Sequence, residues 1–197
     1  MNEAVRERKA ALRRRIKTAL RALSPTHRAM ASAQACSRLQ QEKVWIEAES
    51  ILFYSPLADE LDVGPLLRET LALGKTVALP RFDETQQVYL ACRVQNLNSD
   101  LLTGRFGIAE PGDACPAIPL NRLDFLLVPG VGFSVNGYRL GRGKGFYDRL
   151  LKSAHGIKCG VGFDEQVIDD IPVEPHDVCL DCILTPTRWE SASGARF

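Results

Sequence analysis

Residues 124–151 read Asp124-Phe-Leu-Leu-Val-Pro-Gly-Val-Gly-Phe-Ser-Val-Asn-Gly-Tyr-Arg-Leu-Gly-Arg-Gly-Lys-Gly-Phe-Tyr-Asp-Arg-Leu-Leu151. The run 124–128 is short, apolar and closed by Pro129-Gly130, the pattern of a strand buried on both faces. A glycine loop follows, and the spacing predicts a helix from Lys144 or Gly145 to about Ala154. Strand, loop and helix in that order form one half of a parallel crossover. The same alternation recurs outward. Ser50–Tyr54 reads as a strand ended by Ser55-Pro56, 63–73 as a helix stopped by Gly74, and Thr76–Leu79 as a strand ended by Pro80. Gln87–Val94 alternates polar and apolar residues, and 158–163 and 179–184 supply two more strands. Upstream, Leu12, Ile16, Ala19, Leu20 and Leu23 recur at helical spacing over 3–22. Ser24-Pro25 then reads as an N-cap with proline at the first helical position of a second helix, running to about Lys43. The expectation is one α/β domain over 1–197: three α/β/α layers, a mainly parallel sheet and helices on both faces. The tail 186–197 is expected to be loose.

Composition narrows the function. The 197 residues are 45% hydrophobic and 25% charged with net charge +1, which supports a good-sized core and argues against a general polyanion binder. The chain contains no apolar run long enough to span a bilayer. The amino-terminal arginines are accompanied by Glu3 and Glu7, which argues against an organelle presequence, so the expected location is the cytoplasm. Of the six cysteines only Cys179 and Cys182 form a Cys-x-x-Cys, in an apolar run that suits buried thiols better than zinc or redox chemistry.

Within Arg139-Leu-Gly-Arg-Gly-Lys-Gly-Phe-Tyr-Asp148, alternating glycines remove side chains and let backbone N–H groups converge on an anion. Arg139, Arg142 and Lys144 are interleaved with them, and Asp148 follows. Glycine, fixed cations and a carboxylate suit a phosphate–magnesium site. The loop is neither a Walker loop, since Gly145 follows Lys144, nor a dinucleotide fingerprint, since Phe stands at 146. Asp59-Glu60-Leu61-Asp62 follows the strand ending at Tyr54. Asp62 fits an N-cap, and Glu60 remains as a carboxylate able to accept N–H groups of a heterocycle. Lys9 and Arg13 are four apart and share a helix face. The acidic segment 173–177 precedes the last of these strands.

These pieces resemble the 5-formyltetrahydrofolate cyclo-ligase family. Pro129-Gly-Val-Gly-Phe133, Asn136-Gly137 and Arg139–Asp148 are similar to its signature. Lys9-x-x-x-Arg13, Tyr54-Ser-Pro with Glu60, Gly74-Lys75 with Leu79-Pro-Arg81, Gly107-Ile-Ala-Glu-Pro111 and Val173–Asp177 resemble further family elements, in the family's order. The resemblance implies an ATP- and Mg2+-dependent ligase that turns 5-formyltetrahydrofolate into 5,10-methenyltetrahydrofolate, releasing ADP and phosphate through a phosphorylated formyl group. It implies that Arg139 and Lys144 are catalytic, and that ATP is held by Lys9, Arg13 and the run Arg139, Leu140, Gly141, Arg142, Gly143, Lys144, Gly145, Phe146 and Tyr147. Substrate would be held by Tyr54, Ser55, Glu60, Arg142, Phe146 and Tyr147, and magnesium by Asp148 and Asp177. The basic helix 1–23 would contribute to the ATP site. The implied partners are these small molecules alone, without nucleic acid or membrane, in a monomer or weak dimer. The family commonly has Tyr-Tyr before the aspartate, so a hydroxyl is missing at Phe146. The loop by itself would also serve a phosphotransferase with another acceptor, which leaves Tyr54 and Glu60 without a task. A nucleic-acid module on the basic helix lacks interleaved aromatics.

Overall fold

β-Strands turn successive side chains to opposite faces, and here the two faces pack on different layers. The computed structural model describes residues 3–104, 107–175 and 177–192. In chain order the elements are α1 (Glu3–Ala22), α2 (Pro25–Leu39), α3 (Lys43–Glu47), β1 (Ser50–Leu52), α4 (Gly64–Ala72), β2 (Thr76–Asp83) and β3 (Val88–Val94). There follow β4 (Leu101–Thr103), β5 (Ala109–Pro111), β6 (Phe125–Pro129), β7 (Gly132–Ser134), β8 (Arg139–Leu140) and α5 (Phe146–Leu151). The chain closes with β9 (Ile157–Val161), β10 (Val167–Ile168), β11 (Cys182–Leu184) and β12 (Trp189–Ser191). Seven strands form the main sheet in the order β12-β11-β9-β6-β1-β2-β3. The inner pairings are parallel; β3 and β12 close the edges antiparallel.

Ile51, Phe53, Val77, Leu79, Phe125 and Leu127 pack with Ile16 and Leu20 of α1, Ala35 and Leu39 of α2, Trp45 of α3 and Leu66 of α4. Leu52, Ala78, Leu126 and Val128 face the other way, against Leu150 and Leu151 of α5 and Ala154. The expected three layers and mainly parallel sheet are therefore present, with unequal faces: α1–α4 on one, α5 on the other.

The chain leaves β1 through α4 for β2 on one side. It leaves β6 through β7, β8 and α5 for β9 on the other. Adjacent parallel strands whose crossovers depart in opposite directions leave a crevice at their carboxyl ends, where open α/β sheets bind ligands.

Several expected boundaries move. The second helix stops at Leu39 and α3 restarts at Lys43, and this break lets Trp45 meet Phe53 and Phe125 edge to face, at 6.0 and 5.5 Å between centroids. Asp62 is not the N-cap of α4. That position is Val63, and Asp62 acts one residue earlier, its Oδ1 accepting the Gly64 N–H at 2.8 Å. Pro80 does not end β2. Its register partner Ala91 gives its carbonyl to the Ile118 N–H on the far side (2.7 Å), so Pro80 sits opposite a position that needs no N–H from β2. The tail is not loose as far as Ala192, because β12 pairs with β11 from Leu184↔Trp189 to Cys182↔Ser191; 193–197 lie outside the described residues.

The strands β7 and β8 were not legible as strands. They form a hairpin whose turn contains Asn136-Gly137, with Gly137 at φ +86°. The fully buried Phe133 anchors it. A Cβ at Gly130, Gly160 or Gly162 would come within 2.8 Å of the Phe133 ring. The ring fills the space these three glycines leave, and the hairpin carries Arg139. Phe133→Ala should lower unfolding free energy by about 3–5 kcal/mol in urea titration, the usual cost of emptying a buried aromatic site; a cost under about 1 kcal/mol would mean the ring is not the anchor.

Candidate active site

At the carboxyl ends of β1 and β6 lies a cavity of about 380 Å3. Tyr54, Ser55, Leu57 and Glu60 follow β1 into it, and Pro129 and Gly130 end β6 at its floor. Arg139 enters from β8, and Gly141, Arg142, Lys144, Gly145, Phe146, Tyr147 and Asp148 form one wall. Pro80, Tyr89, Ile108, Ala109 and Glu110 complete the lining, with the Tyr89 ring against Phe146 and Tyr147. Thus most of the site residues expected from the sequence meet in one place. Lys9, Arg13, Leu140, Gly143 and Asp177 are not among the lining residues.

The glycine loop takes conformations that side chains disfavour, with Gly143 at φ +103° and Gly145 at φ +66°. Gly145 occupies the N-cap of α5, which is only six residues long rather than reaching Ala154. Arg139 is buried. Its Nη2 donates to Asp148 Oδ1 at 2.7 Å and its Nη1 to the Pro129 carbonyl at 3.3 Å, while its Cζ stands 5.5 Å from the Tyr147 ring centroid. Its Nε is buried without a hydrogen-bond partner among the described residues. Arg13 reaches the loop from α1, its Nε donating to the Gly141 carbonyl at 2.7 Å. Burial lowers the Arg13 pKa, the Arg139 charge lowers it further, and Asp177 opposes both. Two guanidiniums held this close leave a positive field that an anion relieves.

Lys9 is placed differently from the expectation of a polyphosphate contact. Its Nζ donates to Asp177 Oδ2 at 2.7 Å and to Glu174 Oε2 at 3.1 Å, and it is 7% exposed. Asp177 Oδ2 also accepts the Glu174 N–H at 2.9 Å. Lys9 therefore clamps the 173–177 loop to α1, one turn before Arg13. The Asp177 carboxylate expected on magnesium is committed to this clamp, whereas Asp148 faces the cavity. Among the described residues no group of three or more His, Cys, Asp or Glu side chains is placed to hold a metal ion; His176 lies outside them.

Glu60 and Arg142, expected as separate contacts, meet each other. Arg142 Nη2 donates to Glu60 Oε1 at 3.0 Å and to Asp59 Oδ1 at 2.7 Å, and Glu60 Oε2 accepts the Leu57 N–H at 3.0 Å. This pair joins the glycine loop to the loop after β1. The Tyr54 hydroxyl donates to the Leu61 carbonyl at 2.8 Å, so Tyr54 is a buried wall and brace, its pKa pushed up by burial and then by Glu60. Phe146 packs edge to face on Phe82 (5.0 Å) and Tyr89 (5.6 Å), and the absence of a hydroxyl at 146 suits this dry contact. Sequence reasoning missed Tyr89, Pro129 and Gly130 as lining residues. Glu110 stood inside a recognised element but had no role attached.

Comparison with known proteins identifies the family. The 5-formyltetrahydrofolate cyclo-ligase family matches residues 5–186. The chain belongs to the 5-formyltetrahydrofolate cyclo-ligase family. The cyclo-ligase of Escherichia coli K12 is 34% identical over 175 residues, covering 86% of this chain and 96% of that protein. The mouse cyclo-ligase is 28% identical over 191 residues, covering 91% and 94%. The solved Aquifex aeolicus 5,10-methenyltetrahydrofolate synthetase is 32% identical with a TM-score of 0.85, over 96% of this chain and 95% of its own. The cyclo-ligase match includes Lys9, Arg13, the whole glycine loop and Asp177, and stops short of β12.

The Lys9 clamp is open to a direct check. Lys9→Ala would strand two carboxylates in a nearly dry site, and stability in urea should fall by about 3–5 kcal/mol. A loss below about 1 kcal/mol would show that water compensates them and that the clamp does not hold the loop.

Proposed function

We propose that this chain catalyses the ATP-dependent closure of 5-formyltetrahydrofolate to 5,10-methenyltetrahydrofolate, with release of ADP and phosphate. Family membership supports the reaction class. The observation that carries the residue roles is the make-up of the cavity: Arg139, Arg142 and Lys144 line it together with Tyr54, Tyr89, Tyr147 and the Glu60 carboxylate, so cations, flat apolar surface and an acceptor share one space. A triphosphate suits the cations and a reduced pterin the aromatic surface with its acceptor.

The formyl oxygen is a poor leaving group. It attacks the γ-phosphorus, the new O–P bond forms, and the bond from phosphorus to the bridging oxygen breaks as ADP departs. N10 then attacks the activated carbon, loses its proton, and the carbon–oxygen bond breaks to release phosphate. Phosphoryl transfer depends on positioning and charge neutralisation, which Arg139 and Lys144 would supply. The amides of Gly141, Gly143 and Gly145, with those of Leu140, Phe146 and Tyr147, would hold the polyphosphate. Arg13 would add charge behind Gly141, and Lys9 would act through Arg13 by fixing α1. Glu60 would accept ring N–H groups once its bond to Arg142 is exchanged for substrate; Ser55, Phe146 and Tyr147 would complete the slot.

Magnesium would neutralise phosphate charge. A hard carboxylate on the cavity wall fits that ion, which takes one or two carboxylates beside phosphate oxygens and water. Asp148 would be this ligand. Asp177 would serve through water, since Lys9 holds its Oδ2. No helix among the described residues is long and apolar enough to cross a membrane, and all six cysteines are free, in keeping with a reducing cytoplasm.

The near-ultraviolet absorbance of methenyltetrahydrofolate, followed with 5-formyltetrahydrofolate in the presence and absence of ATP and magnesium, tests the reaction; no ATP-dependent product would refute it. Lys144→Ala should lower kcat by about 10²–10³ while the folate Kd moves by less than about threefold, and equal losses in both would remove Lys144 from the transferring group. Glu60→Gln should raise the folate KM by about ten- to a hundredfold; an unchanged KM would take Glu60 out of the slot.

A further inference from the structure

Glu110 lies on β5 and lines the same cavity as the glycine loop. It is 7% exposed, among the few buried charged residues of the chain. Its Oε2 accepts the Phe82 N–H at 3.0 Å, which ties the carboxylate to the end of β2. Its stem packs against Gly104, where an added Cβ would lie 2.6 Å from the Glu110 Cδ. The side chain is thus held from two directions. Its other oxygen, Oε1, is buried with no hydrogen-bond partner among the described residues. Leaving a buried carboxylate oxygen unmatched is costly, and such a vacancy in a cavity wall implies a donor that arrives with a ligand.

The candidates are the groups on the two substrates that bear N–H or O–H. Triphosphate is repelled by a carboxylate, and the Arg139 and Arg142 guanidiniums pair with Asp148 and with Asp59 and Glu60 rather than with Glu110. Beside Glu110 stand Phe82, Tyr89 and Tyr147; the Tyr147 phenol is pushed up by burial first, with Glu60, Tyr89 and Glu110 adding to it. A planar heterocycle with N–H groups on its edge matches an aromatic wall ending in an acceptor. Glu60 has one oxygen on Arg142 and the other on the Leu57 N–H, so it takes a ligand N–H only by giving up the Arg142 bond, whereas Glu110 Oε1 has no such bond to give up among the described residues. We infer that Glu110 accepts a hydrogen bond from the amino-pyrimidine edge of the reduced pterin and so sets folate specificity, an inference that rests on the folate reading above.

Glu110→Gln separates this role from a structural one. The Phe82 N–H demands an acceptor, so the amide oxygen stays there and the NH2 replaces Oε1, turning the acceptor into a donor without changing volume. The KM for 5-formyltetrahydrofolate should rise by about ten- to a hundredfold, with the ATP KM and kcat within about twofold of wild type. An unchanged folate KM, or a rise in the ATP KM instead, overturns the assignment. A measurement on the unmutated enzyme covers the case in which the variant does not fold. 5-Formyltetrahydropterin should inhibit at least about tenfold better than its analogue lacking the 2-amino group, and equal inhibition overturns the assignment. If the wild type itself gives no ATP-dependent product, the folate reading fails; if it turns over and only these comparisons come out flat, the Glu110 role alone fails.

Discussion

Two neighbouring parallel strands, β1 and β6, whose chains must leave in opposite directions, form the constraint on which this molecule is built. Each crossover covers its own face, so neither can close over the common end of the pair. The gap is therefore a property of chain path. Tyr54 and Gly130 stand at it because they follow buried runs that need parallel partners on both sides.

Cations reach that gap by unlike means, and the difference matters for charge. Arg139 arrives on a hairpin pinned by Phe133 and is braced by Asp148. Arg13 comes from the first helix, a hundred and more residues away in sequence, and is fixed by a single backbone carbonyl. Lys9, one turn earlier, is neutralised by two carboxylates and serves as a clamp. Arg142 is held across the cavity by Asp59 and Glu60. A like-charged cluster assembled on rigid supports is preorganised for a polyanion, since its repulsion is already balanced by folding energy elsewhere.

The acidic side chains divide in a similar way. Asp177, Glu174, Asp148, Asp59 and Glu60 all balance a cation within the chain. Among the described residues Glu110 balances only a backbone N–H, through one of its oxygens. Specificity in a buried polar site comes from such unmet groups, because a ligand lacking the complementary donor leaves them unmet.

Much of this was legible from residue order alone. The runs at 50–54, 76–79 and 124–128 are short and mostly apolar, the pattern of strands buried on both faces, and the glycines between Arg139 and Asp148 mark a loop bare of side chains. What lay hidden has one cause: hydrogen bonds and packing between segments distant in sequence. Pro80 could continue a strand because of where Ala91 sends its carbonyl. Trp189–Ser191 became an edge strand because β11 had a free side. Lys9 became a clamp because a loop some 165 residues later folds onto it. Local sequence determined the main strands and helices, the glycine loop and the family; only the tertiary structure decided which charges are spent on each other, because pairing depends on distances that chain order does not carry.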